Sequence, residues 1–420
     1  MTRAVPDYDV VVAGGGPAGA TTAGLLAQAG RRVLLVERAA EPRFRIGESL
    51  MPATYWTFRR LGLLDAMRGS AFPVKHSVQF FDGAGRASAP FYFSEDDPHE
   101  SSRTWQVLRE DFDPMLRRRA GELGAQVLEG TSVQQVLFDG DRAVGARLAG
   151  GDGTRDVTAR VVVDATGQSA LLSRRLGLRV EDDSLRHVAF FTHYEGAERD
   201  EGIDEGATLV LHTAENRSWF WFIPLPNDRA SVGVVGPVDE LIRDRAADPQ
   251  AVFEEELARC PALRPRVLDA RQVMEMKVLR DFSYRSRQVA GNGWVLVGDA
   301  FGFIDPIYST GVFLALKSGE MAADAIHEAL EADDVSGERL GRFQGELAHG
   351  MDALKQLVHA FYEPTFSFGA FLRVYPHRRQ DIVNMLVGKV FDSPADGLLR
   401  DLRAFLATSP HYSPGFLARS

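Results

Sequence analysis

A glycine run near the N-terminus has the first spacing with chemical meaning. Gly14-Gly15-Gly16-Pro17-Ala18-Gly19 follows the apolar run Tyr8 to Ala13. A helical pattern through Leu25 and Leu26 comes next and ends near Gly30. Val33 to Val36 is a second apolar run, closed by Glu37. Strand, turn, helix and strand in this order form a βαβ unit with Gly-x-Gly-x-x-Gly in its first turn. Gly14, Gly16 and Gly19, with Pro17 and Ala18 between them, let a pyrophosphate approach the backbone. The helix start adds unpaired N–H groups and a positive dipole end. Glu37, about 20 residues on, is an acid suited to accept from a ribose 2′-OH. The unit predicts a bound dinucleotide.

Two further places carry unusual residue types. Trp219-Phe220-Trp221-Phe222-Ile223-Pro224 is apolar on both alternating faces and ends on a proline. Periodicity alone reads it as a buried strand, with Trp219 and Trp221 on one face and Phe220 and Phe222 on the other. Lys75 is one of only five lysines in a chain rich in arginine, and it sits in Phe72-Pro73-Val74-Lys75-His76-Ser77. Its apolar flanks argue against a solvated surface position, and burial would lower its pKa. The histidines show no metal-ligand spacing. Cys260 is the only cysteine, so neither an intrachain disulfide nor a cysteine metal cluster is possible.

Four stretches elsewhere fall where strands end or helices begin. They are Arg45-Ile46-Gly47-Glu48-Ser49; Gln106-Val107-Leu108-Arg109 with Phe112, Asp113 and Leu116; Asp164-Ala165-Thr166-Gly167; and Gly298-Asp299-Ala300. All four could meet one ligand at the carboxyl edge of a parallel sheet. Together they resemble the flavoprotein monooxygenase superfamily with the para-hydroxybenzoate hydroxylase fold, over about residues 5–330. The resemblance makes the dinucleotide FAD. It implies that Asp299 lies near the ribityl chain and Arg109 near the cofactor, with Arg45, Glu48, Ser49, Asp164 and Gly167 also in the FAD site.

Within that superfamily, Trp219, Trp221, Ile223 and Pro224 match the Trp-x-Trp-x-Ile-Pro signature of flavin-dependent halogenases. The resemblance implies a partition between flavin and substrate. Halide attacks a flavin hydroperoxide on one side, and the hypohalous acid then travels to a separate site. Lys75 has the position of the lysine that holds or activates the hypohalite, as an ammonium donor or as an amine forming a haloamine. Thr310 and Gly311, in the stretch GFIDPIYSTGV, have the position of the loop whose amides hold the halide. Tyr308 stands where tryptophan halogenases carry Glu, which points to the phenol and pyrrole branch. Phe361-Tyr362-Glu363-Pro364, Phe366-Ser367-Phe368-Gly369 and Leu386-Val387-Gly388-Lys389-Val390-Phe391 resemble members acting on carrier-protein-tethered aromatics. The implied reaction is halogenation, with chlorination expected, of a phenol or pyrrole in natural-product biosynthesis. It uses reduced FAD from a separate flavin reductase, O2 and chloride or bromide. An aromatic hydroxylase on the same fold and a reductase of isoprenoid double bonds share parts of these motifs and stay open.

The expected fold is α/β, an FAD-binding Rossmann-like domain with an antiparallel substrate layer and a helical C-terminal region. The FAD domain is discontinuous, at 1–74, 103–182 and 288–330; the layer takes 75–102 and 183–287, and the helical region 331–420. Pro376, Pro394, Pro410 and Pro414 should break the last part into short helices. A net charge of −10 with no basic run argues against nucleic acid and stable membrane association. Val10 to Gly30 lacks charge but changes period midway and is crowded with glycine, so it reads as strand, turn and helix rather than an export or membrane segment. A cytoplasmic protein is expected.

Overall fold

The computed structural model describes residues 5–95, 97–151, 153–243, 248–280, 282–363, 366–391 and 395–408. Its first layer is a sheet whose strands run in the order Ala290–Gly291, Trp294–Leu296, Gly153–Asp164, Tyr8–Ala13, Val33–Val36 and Gln126–Leu128. All neighbours but the first pair are parallel, with Val10 opposite both Val161 and Val33. Helices cover its face, which is why these strands are apolar throughout rather than alternating. The first helix, Pro17–Gln28, starts directly after Gly16, with Pro17 in its opening turn. It packs along Thr310–Glu331, and Thr22 Oγ1 donates to the Gly319 carbonyl at 3.2 Å.

The second layer is a sheet containing, side by side, His187–Glu195, Arg229–Pro237, Trp219–Pro224, Thr208–His212 and Ser77–Phe81. The first four are antiparallel to their neighbours, as alternation of aromatic and β-branched residues predicts. Thr208–His212 runs parallel to Ser77–Phe81 instead. The chain leaves at the Phe81 end and re-enters at the Ser77 end, a crossover rather than a hairpin.

Trp219–Pro224 is central in this sheet and buried along its whole length. Phe220 and Phe222 point to the side of Phe253, Val232 and Val234, while Trp219, Trp221 and Ile223 point to the main core. Full burial of each Phe side chain stabilises by roughly 1.5–3 kcal/mol. Lys75 pairs with Thr104 in a separate two-stranded ribbon. The C-terminal region is helical, with Gln344–Phe361, Phe368–Val374, Arg379–Val387 and Asp396–Leu406. Pro376 opens a single 3-10 turn between two of them. Pro364, Pro394, Pro410 and Pro414 lie outside the described residues.

Candidate functional site

A cavity of about 930 Å³ lies between the two layers. Gly14, Gly16, Pro17, Ala18 and Glu37 line one end, together with Arg45, Glu48, Ser49, Arg109, Gly167 and Asp299. Trp219, Trp221 and Ile223 line the cavity from the second sheet, and Ser309 and Gly311 from the start of the long helix. The glycine turn, the four motif stretches, the aromatic strand and the start of the long helix therefore meet around one space, as the expectation of a common ligand requires.

The glycine turn is built for close approach. Gly14 has φ +108°, and a Cβ there would lie 2.2 Å from the Ala165 carbonyl oxygen. A Cβ on Gly16 would meet nothing within 4 Å, so the open side of the turn faces the cavity. Glu37 accepts from the Gly15 amide at 2.8 Å with one oxygen and from the Ala39 amide at 2.9 Å with the other. A carboxylate has about four acceptor sites, which leaves capacity for a ribose hydroxyl.

Asp164 is fully buried and does not line the cavity. Its oxygens accept from the Thr166 amide and hydroxyl and from the Leu172 amide, folding the loop that presents Ala165, Thr166 and Gly167. Gly19 likewise sits behind the lining, where a Cβ would press on the Gly14 carbonyl.

The charged groups fit FAD. Arg109 grips Asp113 in a buried two-pronged pair and donates to the Ile46 carbonyl at 2.6 Å. Burial, with Arg43 close by, pushes the Arg45 guanidinium down to about 10. Its one hydrogen bond among the described residues is a 3.4 Å contact with the Phe44 carbonyl. An anion such as a pyrophosphate would relieve this repulsion and use the spare donors. Burial raises Asp299 to about 6 against the pull of Arg109, so its carboxyl can donate or accept toward a polyol chain. Arg45, Arg109 and the turn amides would hold the phosphates, and Asp299 and Glu37 the sugar hydroxyls.

Lys75 is 4% exposed and does not itself line the cavity. Its Nζ donates to Ser49 Oγ at 2.9 Å and to the Leu50 carbonyl at 3.1 Å. Ser49 does line the cavity, so the lysine stands one hydrogen bond behind the wall. Ser49 is held in turn by Thr208, and Thr208 by Gln106. Burial alone pushes the Lys75 amine down to about 7. Two donated bonds match the two protons of a neutral amine, leaving a lone pair for chemistry.

Beside it, Glu48 and His193 form a buried pair at 2.7 Å. His193 has no distinguishing spacing; packing of its strand against the Gly-Glu-Ser stretch brings the two together.

The aromatic wall is tightly seated. Trp219 and Trp221 ring centres are 6.2 Å apart, and Trp221 donates to Ser231 Oγ at 3.1 Å. Pro224 ends the strand away from the cavity lining. Gly233 lies directly across from Trp221, and a Cβ there would come within 2.2 Å of the indole. Gly233→Ala should therefore force Trp221 off the strand and break its bond to Ser231. We expect a stability loss of about 1–3 kcal/mol, FAD binding retained, and hypohalous acid escaping to a solution trap. An unchanged product yield would show that the wall tolerates a displaced Trp221.

In the loop expected to hold halide, Ser309 takes a left-handed conformation (φ 58°) that opens the long helix, and Gly311 packs on Phe303. Thr310 is 1% exposed, and its hydroxyl has no partner among the described residues. Tyr308 is buried, donates to the Leu357 carbonyl at 3.3 Å, and packs on Phe361 and Phe368. Phe361 and Phe368 thus pack against the residue that precedes this helix start. Asp305 and Tyr362 form a buried hydrogen-bonded pair next to this loop. The lone carboxylate in an otherwise apolar run was the only hint of it in the sequence. Among the described residues no group of acids, histidines or cysteines could hold a metal, and no helix is long and apolar enough to cross a membrane.

Comparison with known proteins agrees with this geometry. Residues 7–335 match the model of the FAD binding domain family. The chain is 34% identical over 388 residues to a 1H-pyrrole-2-carbonyl-[peptidyl-carrier protein] brominase of Pseudoalteromonas luteoviolacea, covering 92% of this chain and 93% of that protein. It is 32% identical over 427 residues to the corresponding chlorinase of Pseudomonas fluorescens, covering 96% and 93%. The solved structure of the flavin-dependent brominase Bmp2 superposes with a TM-score of 0.85 at 32% identity, over 95% of this chain and 99% of Bmp2. The glycine turn and the paired tryptophans meet around one cavity, and the similarity to halogenases runs along nearly the whole chain, which leaves one assignment: the chain belongs to the flavin-dependent halogenases.

Proposed function

We propose that this halogenase acts on a pyrrole-2-carbonyl group tethered to a carrier protein, with Lys75 as the group that delivers the halogen. The observation that carries the chemical part is the placement of Lys75: a buried amine one hydrogen bond behind a cavity wall that also holds Trp219 and Trp221, with burial pushing it down to about 7. The pyrrole part is supported by similarity to the carrier-bound pyrrole halogenases along both full lengths, and by Tyr308 in place of an acid.

Reduced FAD, when bound, would supply two electrons that take O2 to the peroxide level, the oxidant that converts halide to hypohalous acid with water as the other product. The chain's own residues do the rest. The Thr310 and Gly311 region seats the halide through neutral donors. Trp219, Trp221 and Ile223 keep the aromatic substrate from the flavin and exclude water from the passage. The Lys75 amine takes the halogen from hypohalous acid and releases water. The resulting haloamine gives the halogen to the ring and recovers the amine as the ring proton leaves. A separate flavin reductase supplies the reduced cofactor.

The test is a competition. Enzyme, FAD, NADH and a flavin reductase are incubated with carrier-bound pyrrole-2-carbonyl, free pyrrole-2-carboxylate and a simple phenol, in chloride and in bromide. Mass spectrometry should find halogen on the carrier-bound ring well ahead of the free acids. Equal halogenation of free phenol or free pyrrole acid would overturn the tethered substrate, and a hydroxylated product indifferent to halide would overturn the assigned chemistry of the wall.

A further inference from the structure

Asp305 begins the turn that leads to Thr310 and Gly311. It is fully buried and absent from the cavity lining. One oxygen accepts from the Ile307 amide at 3.0 Å, bracing the turn. The carboxylate also accepts from Tyr362 Oη, 3.1 Å from its other oxygen. Tyr362 Oη accepts from Trp219 Nε1 at 3.0 Å. Trp219 is a wall residue. A single carboxylate is thus bonded to the halide turn on one side and, through one phenol, to the wall on the other. The three residues come from three elements far apart in sequence, so the connection is a product of packing.

We propose that Asp305 is a positioning residue that couples occupancy of the halide loop to the seating of the Trp219 wall, acting through Tyr362. It rests on the roles given above to the wall and the loop. The coupling has a physical basis in the donors and acceptors. Tyr362 can give its proton to only one acceptor, and with an ionised Asp305 that acceptor is the carboxylate, which leaves the phenol oxygen free for Trp219. If the carboxyl takes up a proton it becomes a donor, and the phenol no longer has a charged acceptor. His187 Nδ1 is then within reach: it lies 3.7 Å from Asp305, and its own nitrogen has no hydrogen-bond partner among the described residues.

The groups that face Asp305 are known. His187 stacks on Tyr362 at 4.0 Å between ring centres, and burial with His359 nearby pushes it down to about 4, so it is neutral. Tyr308, in the same turn, and Tyr362 are both held above their ordinary values by burial, with Asp305 adding to it, and are neutral. His359, Lys355 and Asp182 act on one another one shell further out. Burial raises Asp305 to about 7 against its bonds to Ile307 and Tyr362, so its proton exchanges in the working range.

The experiment uses the FAD-loaded enzyme with its tryptophans labelled with ¹⁵N at the indole nitrogen. The Trp219 signal is assigned by its loss in Trp219→Phe. In the parent enzyme it should move with pH around a midpoint near 7 and on titration with chloride. Asp305→Asn should remove the pH response, and Tyr362→Phe the chloride response. Each substitution should also lower halogenated product per FADH2 oxidised by about five- to tenfold and raise the halide KM, with the double variant no worse than the poorer single one. A parent Trp219 signal indifferent to both pH and chloride would overturn the coupling, as would losses that multiply in the double variant. If Asp305→Asn fails to retain FAD, Tyr362→Phe decides alone: a retained chloride response overturns the proposal. The indole readout needs no aromatic substrate, so it stands or falls apart from the pyrrole assignment.

Discussion

Lys75→Ala should abolish halogenation while leaving oxidation of FADH2 by O2 intact. The amine is one hydrogen bond from the cavity, and of the residues expected around FAD only Ser49 bonds to it, which Thr208 also holds. We expect product formation to fall by roughly 10³-fold or more, the scale on which a positioned acid–base or nucleophilic group acts. Hypohalous acid should then appear in a solution trap. Full product formation by the variant would remove Lys75 from the chemistry.

The pH dependence adds a second reading. Burial holds the amine at about 7, well below its ordinary 10.5. The neutral form that can take a halogen appears as pH rises through about 7, so halogenation should rise over the same window. Lys75→Arg, which stays charged, should not recover it. Stability follows the same proton. Because the folded pKa is depressed, the unfolded chain binds more protons between about 7 and 10.5, and this group makes stability rise with pH across that range. Lys75→Met should flatten that part of a stability–pH curve measured by denaturant unfolding.

Gly14→Val should fold poorly and lose FAD. At φ +108° a β-branched residue is excluded by its own backbone. The Cβ would also lie 2.2 Å from the Ala165 oxygen and 2.7 Å from its carbonyl carbon. Both are backbone atoms, and no rotamer relieves the clash. The Ala165 amide itself donates to the Ala13 carbonyl at 2.8 Å, and Gly14 donates to the Val36 carbonyl at 2.8 Å. Relief therefore requires three strands to part. The expected cost is on the order of 3–5 kcal/mol, at the large end for single substitutions.

Gly16→Ala is the informative control. Gly16 has φ −74° and open space where a Cβ would go. That variant should keep its unfolding midpoint and lose affinity for FAD, because the added methyl projects toward the cofactor cavity. Unfolding and FAD fluorescence titrations separate the two. A Gly16→Ala protein with unchanged FAD affinity would mean that the cofactor does not lie against this turn.

Local backbone constraints make some features legible in a chain. A glycine turn between an apolar strand and a helix has few other uses, and alternation along Trp219–Pro224 assigns its two faces without knowledge of neighbours. These readings needed only distances of a few residues. The antiparallel layer was legible for the same reason, as period-two alternation. Its one parallel pair was not, because direction depends on where the chain goes between Phe81 and Thr208. Asp164 shows a different limit. Its stretch does face the cavity, yet the acid itself turns inward to tie the loop, since a buried carboxylate is stabilised by the nearest amides.

The residue types alone are enough to announce a dinucleotide and a strand of paired tryptophans, and the resemblance of four stretches to a known superfamily makes the dinucleotide FAD. They could also mark Lys75 as unusual, through its rarity and apolar flanks. Packing settled what each group touches. It put Lys75 behind Ser49 rather than in the open cavity, paired Glu48 with His193, set Gly233 under Trp221, and joined Trp219 to Asp305 through Tyr362. The reason is the reach of the interactions. Turns and strand faces are decided by neighbours along the chain, where spacing carries the information. A hydrogen bond between residues 57 or 143 positions apart, as between Tyr362 and Asp305 or Trp219, exists only because two layers and a C-terminal helix close on the same space.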